Sequence, residues 1–282
     1  MAHFFGIDVG SSFIKAAVLD VDTLELRGIE RAPFPEFIGG LPALYREADP
    51  LAVLNTVEAL LERLTANADP CHGLVLCGQM HGFVLMNERG DAVSNYISWL
   101  DQRVTPAEFE ELTGRITPAE RGETGNELRP SIALPALSWL KRHNALPVGE
   151  ATPVSIADFV AARLAGARAV LDPTQAAAFG ALRIDRLQWH EEIIGKLGLN
   201  SLRWADVRPS GVVVGAWRGA PCYAAIGDQQ CALAGALLRE GELSVNIGTG
   251  SQVAMLGRTG GAEAHQTRPY FDGGYLRTIT HI

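Results

Sequence analysis

The chain has 282 residues, 47% of them hydrophobic and 20% charged, enough for a large core and for two domains. Its net charge of −8 argues against a nucleic-acid or anionic-membrane surface, because phosphate-rich partners need clustered cations. The four cysteines, Cys71, Cys77, Cys222 and Cys231, lack C-x-x-C spacing and have apolar neighbours. They read as buried free thiols in a reducing compartment, not as a disulfide or zinc framework.

In chain order, Phe4 to Ile7 is a short apolar run that ends in Asp8-Val9-Gly10-Ser11-Ser12. A second apolar run, Ile14 to Leu19, follows at once and is interrupted by Lys15. This reads as strand, tight polar turn and returning strand. Gly10 lets backbone approach a ligand or take positive φ. Ser11 and Ser12 place hydroxyls beside exposed amides, which suits a phosphate. Asp8 can hold a hydrated divalent cation. An ordinary serine-turn hairpin fits the same residues.

Residues 1–30 read as a strand meander and 31–50 as a Pro/Gly-rich connection. Leu51, Leu54, Val57, Leu60, Leu61 and Leu64 give 51–67 helical periodicity. A buried-type strand at 73–77 ends in Gly78-Gln79-Met80-His81-Gly82, and a strand resumes at Phe83. The run Trp99-Leu100-Asp101-Gln102-Arg103 comes after a hairpin-type turn at 87–91. Helices are expected over much of 105–145, over 155–164 with Ser155 as cap, and over 185–198. A β-rich stretch from Pro209 leads to Gly227-Asp228-Gln229-Gln230, which opens a helix running to Leu238. Strand, turn and strand then recur over 243–256 around Gly248-Thr249-Gly250. Two such turns facing one another across a cleft could hold the two ends of a polyphosphate.

Four of these motifs, in this order, resemble the FGGY carbohydrate kinases. They are Asp8-Val9-Gly10-Ser11-Ser12 with Lys15, Gly78-Gln79-Met80-His81-Gly82, Trp99-x-Asp101-x-Arg103, and Gly227-Asp228-Gln229-Gln230 followed by Gly248-Thr249-Gly250. The resemblance implies an α/β fold of the actin-like ATPase (ribonuclease H-like) kind, a mixed sheet flanked by helices, plus the start of a second such domain. The expected division is 1–240 for the sugar-binding domain and 241–282 for the beginning of the nucleotide-binding domain. The family's later glycine-rich adenosine motif is absent, so the expectation is a chain lacking most of its second domain, with poor grip on ATP.

The resemblance further implies ATP-dependent phosphorylation of a sugar hydroxyl with Mg2+. Gly-Gln-Met-His-Gly looks like xylulokinases and sedoheptulokinases, while Gly227-Asp228-Gln229-Gln230 is similar to glycerol kinases. A ketose such as xylulose or sedoheptulose is preferred, with glycerol or gluconate as alternatives. Asp228 would be the general base and, with Asp8, would hold the metal. Gly10, Ser11, Ser12, Lys15, Gly248, Thr249 and Gly250 would surround the phosphates. Gln79, Met80, His81, Trp99, Asp101 and Arg103 would meet the sugar.

Structural alternatives stand beside these roles. Asp228 fits an N-cap, Lys15 a solvated charge on an edge strand, Trp99 a core residue, and Asp101 with Arg103 a structural ion pair. A non-catalytic sugar-binding remnant is the competing function. A chaperone or filament ATPase fits less well, because it needs no polyol pocket. With no basic leader and no apolar run of membrane-span length, the expected compartment is the cytoplasm. The expected partner is a small-molecule sugar, not nucleic acid or membrane, and a homodimer is left open.

Overall fold

The computed structural model describes residues 2–66, 70–247, 251–258 and 265–281. Its centre is a seven-stranded mixed sheet. Three antiparallel strands open the chain: β1 (His3–Val9), β2 (Phe13–Asp20) and β3 (Glu25–Pro33). The strand Cys71–Gly78 pairs parallel to the other side of β1 and carries the sheet on to Ala220–Tyr223 and Val213–Trp217. The short strand Ile226–Gly227 also runs parallel to Cys71–Gly78.

Alternation decides the faces of β1. Phe5, Ile7 and Val9 are buried, while Gly6 between them is exposed and Asp8 is half-buried. Helix α1 (Pro50–Ala66) covers β2 and β3 with a stripe of Val53, Leu54, Val57, Leu60, Leu61 and Leu64. Six buried aliphatic side chains at this spacing supply roughly 10 kcal/mol of transfer free energy, which dwarfs the helix's intrinsic propensity. The helix Ile156–Ala165 lies beside α1 and begins as expected, with Ser155 Oγ accepting the Asp158 N–H. Expected and observed helices differ at 185–198. Leu187 takes a left-handed φ of 53°, and the hairpin Leu182–Arg183/Gln188–Trp189 leaves only Glu191–Lys196 helical.

A second, four-stranded antiparallel sheet contains Leu243–Asn246, Ser251–Gly257, Gln266–Pro269 and Tyr275–His281. It docks on the first unit through backbone and side-chain hydrogen bonds. Thr267 N–H donates to Gly125 O (2.9 Å), and Gln230 Nε2 donates to Pro269 O (3.2 Å). Gly125 has φ +73°, and a Cβ there would run into the Thr267 carbonyl. All four cysteines are free, but only Cys222 is fully buried. No helix among the described residues is long and apolar enough to cross a membrane.

Asp101 and Arg103 form a buried fork. Arg103 Nε and Nη2 donate to the two Asp101 oxygens at 2.8 Å each, and Nη2 also reaches Glu47 Oε1 at 2.6 Å. The guanidinium lies over Tyr45 (4.3 Å to the ring centre) and near Trp139 (5.5 Å). Asp101 Oδ2 also accepts the Arg46 N–H. Every strong acceptor of Asp101 is therefore engaged in pinning the 44–47 segment, and the structural ion pair is the arrangement observed.

Two variants test these joints by urea unfolding. Arg103→Met leaves buried Asp101 and half-buried Glu47 without their counter-charge and should cost about 3 kcal/mol. Gly125→Ala combines a strained φ with a backbone clash and should cost about 2 kcal/mol or more. A loss below about 0.5 kcal/mol in either would contradict the corresponding packing account.

Candidate active site

Parallel pairing brings three motif ends to one level. Asp8 stands opposite Cys77 and Val9 opposite Gly78, while Ile226 stands opposite Cys77 and Gly227 opposite Gly78. The polar turn after β1, the Gly78–Gly82 turn and the start of the Asp228–Gly235 helix thus leave adjacent strands at their carboxyl ends. That is where open α/β sheets bind ligands.

A cavity of about 830 Å³ opens there. Its lining includes Asp8, Gly10, Ser11, Ser12 and Lys15, Asp228 and Gln229, and Ser244, Asn246 and Gln252 of the second sheet. Gly248, Thr249 and Gly250 lie outside the described residues. Lys15 stands opposite Asp8 in the β1–β2 register, and its Nζ reaches Asp8 Oδ2 at 3.0 Å. Because β2 lies between β1 and β3, Lys15 is not on an edge strand. The Cys77 thiol sits beneath, 3.8 Å from Asp8 Oδ1.

Gly227 occupies the N-cap position and Asp228 the first helical turn, with Asp228 Oδ1 accepting the Gln229 N–H at 2.7 Å. Burial pushes the Asp228 carboxyl up to about 6, and the nearby Asp8 charge adds to the rise. Two carboxylates facing one cavity give a set of hard oxygen donors that a hydrated divalent cation would suit. Among the described residues no cluster of three or more His, Cys, Asp or Glu side chains forms a closed metal site.

The position of Asp228 is set by residues 172–175. The Gly227 N–H donates to Thr174 Oγ1 (2.9 Å), and Thr174 Oγ1 donates to Asp172 Oδ1 (2.6 Å). Gln175 Nε2 bridges the Gly78 and Ile226 carbonyls at 3.1 Å each. A Cβ on Gly227 would collide with Met80 Sδ and the Gln230 amide, so the missing side chain lets Met80 pack against the helix start.

The residues of the Gly78–Gly82 turn are only partly free. Gln79 is buried, its backbone N–H donates to Val9 O (3.0 Å), and its side chain donates to Gly10 O (3.4 Å). It ties the two turns together instead of facing a ligand. His81 holds a left-handed φ of 76°, and its Nε2 lies 2.7 Å from Glu127 Oε1. Burial draws the imidazole below its ordinary range. Trp99 is half-buried beyond the strand Tyr96–Ile97, and Gln79, Met80, His81, Trp99, Asp101 and Arg103 are all outside the cavity lining.

Three side chains that local sequence did not single out complete this wall. Glu127 is 1% exposed and accepts from Arg268 and Arg129 as well as His81. Burial alone would raise its pKa, but Arg268 and then His81 hold the carboxyl well below the usual range. The chain separation of 141 residues between Glu127 and Arg268 hides the pair from any local pattern.

The model of the FGGY family of carbohydrate kinases, N-terminal domain, matches residues 3–235. The chain is 28% identical over 218 residues to the xylulose kinase of Bacillus subtilis, covering 74% of this chain and 41% of that protein. It is 25% identical over 275 residues to a glycerol kinase of Saccharolobus islandicus, covering 90% and 53%. It thus spans about half the length of the curated relatives it matches. Among solved structures, the xylulose kinase of Lactobacillus acidophilus superposes with a TM-score of 0.86 at 18% identity, over 99% of this chain and 60% of that one. That likeness extends to the mixed sheet with flanking helices, the actin-like ATPase fold. With the family model covering most of its length, the chain belongs to the FGGY family of carbohydrate kinases.

Proposed function

We propose that this site serves transfer of the ATP γ-phosphoryl group to a hydroxyl of a ketose, with Asp228 as general base. The observation that carries the reading is the Asp228 carboxyl, raised to about 6, beside Asp8 in a cavity lined by hydroxyls, a lysine and glycine-turn backbone. As the acceptor oxygen bonds to the γ-phosphorus, the bond to the ADP oxygen breaks and the acceptor proton passes to Asp228. Phosphoryl transfer asks chiefly for positioning and charge neutralisation. Asp8 and Asp228 are suited to hold Mg2+, which would neutralise phosphate charge when bound. Ser11, Ser12, the backbone at Gly10 and Lys15 would receive phosphate oxygens, and Gly248, Thr249 and Gly250 are proposed for the other end of the chain of phosphates.

The acceptor would lie along the Met80–His81 turn. A ketose is favoured because the relatives matched include several xylulose kinases. Trp99 would offer its indole face to the carbon chain. Asp101 and Arg103, engaged with Glu47 and Arg46, would shape the wall from behind.

Mg-ATP-dependent ADP release, assayed with xylulose, sedoheptulose, ribulose, gluconate and glycerol, tests the reading on this polypeptide and on the longest natural reading frame containing it. Asp228→Asn should lower turnover at least 100-fold with acceptor affinity retained. Since only the ionised carboxylate accepts a proton, turnover should rise with pH as Asp228 ionises and then level. Near-normal turnover in the variant would refute the base assignment. Polyol binding with no ADP release from either form would instead favour a non-catalytic sugar-binding protein.

A further inference from the structure

The second sheet reaches into the wall behind the acceptor turn at one residue. Arg268, on the strand Gln266–Pro269, is 3% exposed. Its Nε donates to Glu127 Oε2 at 2.9 Å and its Nη2 to Glu127 Oε1 at 2.6 Å. Its remaining nitrogen, Nη1, donates to Gln229 Oε1. Gln229 Nε2 in turn donates to Gln252 Oε1, on the strand Ser251–Gly257 of the same sheet, at 2.8 Å. Glu127 Oε1 also lies 2.7 Å from His81 Nε2, a nitrogen that Arg129 Nη2 approaches at 3.1 Å. One guanidinium therefore links the His81 turn, the residue after Asp228 and the second sheet.

We infer that Glu127 and Arg268 are positioning residues for the acceptor turn, coupling the set of the second sheet to the orientation of His81 and Gln229. The inference rests on the acceptor-binding reading of that turn given above. His81 needs such a hold. A non-glycine residue in the left-handed region is strained, and the bond to Glu127 restrains its side chain. Glu127 also needs Arg268, because a carboxylate this buried survives in charged form only when paired. Arg129 helps at 3.0 Å but is more exposed and makes a single bond to the carboxylate. A lysine at 268 would keep the charge but could not grip both Glu127 oxygens and Gln229 together.

The test uses Arg268→Lys and Glu127→Gln in the full chain, with circular dichroism to verify folding. If Glu127→Gln is too unstable to purify, Arg268→Lys alone suffices. Hydrogen exchange on the unliganded protein is expected to speed up at least tenfold at residues 80–82 and to stay unchanged in β1 and β2. Calorimetric titration with xylulose is expected to show about tenfold weaker binding. Exchange changes confined to residues 266–269, or xylulose affinity within twofold of the parent in a folded variant, would overturn the coupling. Faster exchange at the turn with no polyol binding by the parent would sustain the coupling and overturn the acceptor reading beneath it.

Discussion

The site depends on parallel pairing at the centre of the main sheet. The strand Cys71–Gly78 is hydrogen-bonded to β1 on one side and to Ile226–Gly227 on the other. Its register places residues from three distant parts of the chain at one level, within two strand spacings of each other. A slip of one residue in either pairing would turn Asp8 to the opposite face or lift Asp228 out of the cavity. The apolar alternation of β1 and the Gln175 amide, bonded to carbonyls on two strands, hold that register from opposite sides of the site.

Three carboxylic acids show how neighbours decide the fate of the same functional group. Asp228 is desolvated and faces another negative charge, so its proton affinity rises. Glu127 is more completely enclosed, yet two guanidiniums and an imidazole surround it, and its affinity falls. Asp101 is saturated by backbone and guanidinium donors and has no valence left for a ligand. Burial alone accounts for the rise at Asp228 but predicts the wrong direction at Glu127. The sign comes from what shares the enclosure.

The local parts of the architecture were legible in the sequence. The opening hairpin, the stripe of α1 and the Ser155 cap each follow from spacing or residue type within a few positions. The site was legible as far as its motifs lie at strand ends, which is why Asp8 and Asp228 were singled out before their proximity was known. What escaped was the wiring between motifs. Gln79 looks like a ligand donor in its turn, yet its amide goes to the Gly10 carbonyl. Thr174 and Gln175 sit in a helix start, yet they fix Gly227 and Gly78 over 53 and 97 residues of separation. Glu127 meets Arg268 only once two sheets have docked. The hairpin at Leu187 was missed for a different reason, because a left-handed leucine carries no sequence signal.

The face of the second sheet has a bearing on handling. Val245, Val253 and Ile279 stand in register on three successive strands, and each is exposed, as is Leu243 nearby. Such a row forms a dry, flat patch of the kind that draws together molecules otherwise kept apart by a charge of −8. Salt screens that repulsion and leaves the apolar attraction intact. The colloidal behaviour of this polypeptide should therefore be governed by ionic strength, with low-salt buffers keeping it dispersed and concentrated salt bringing it out of solution.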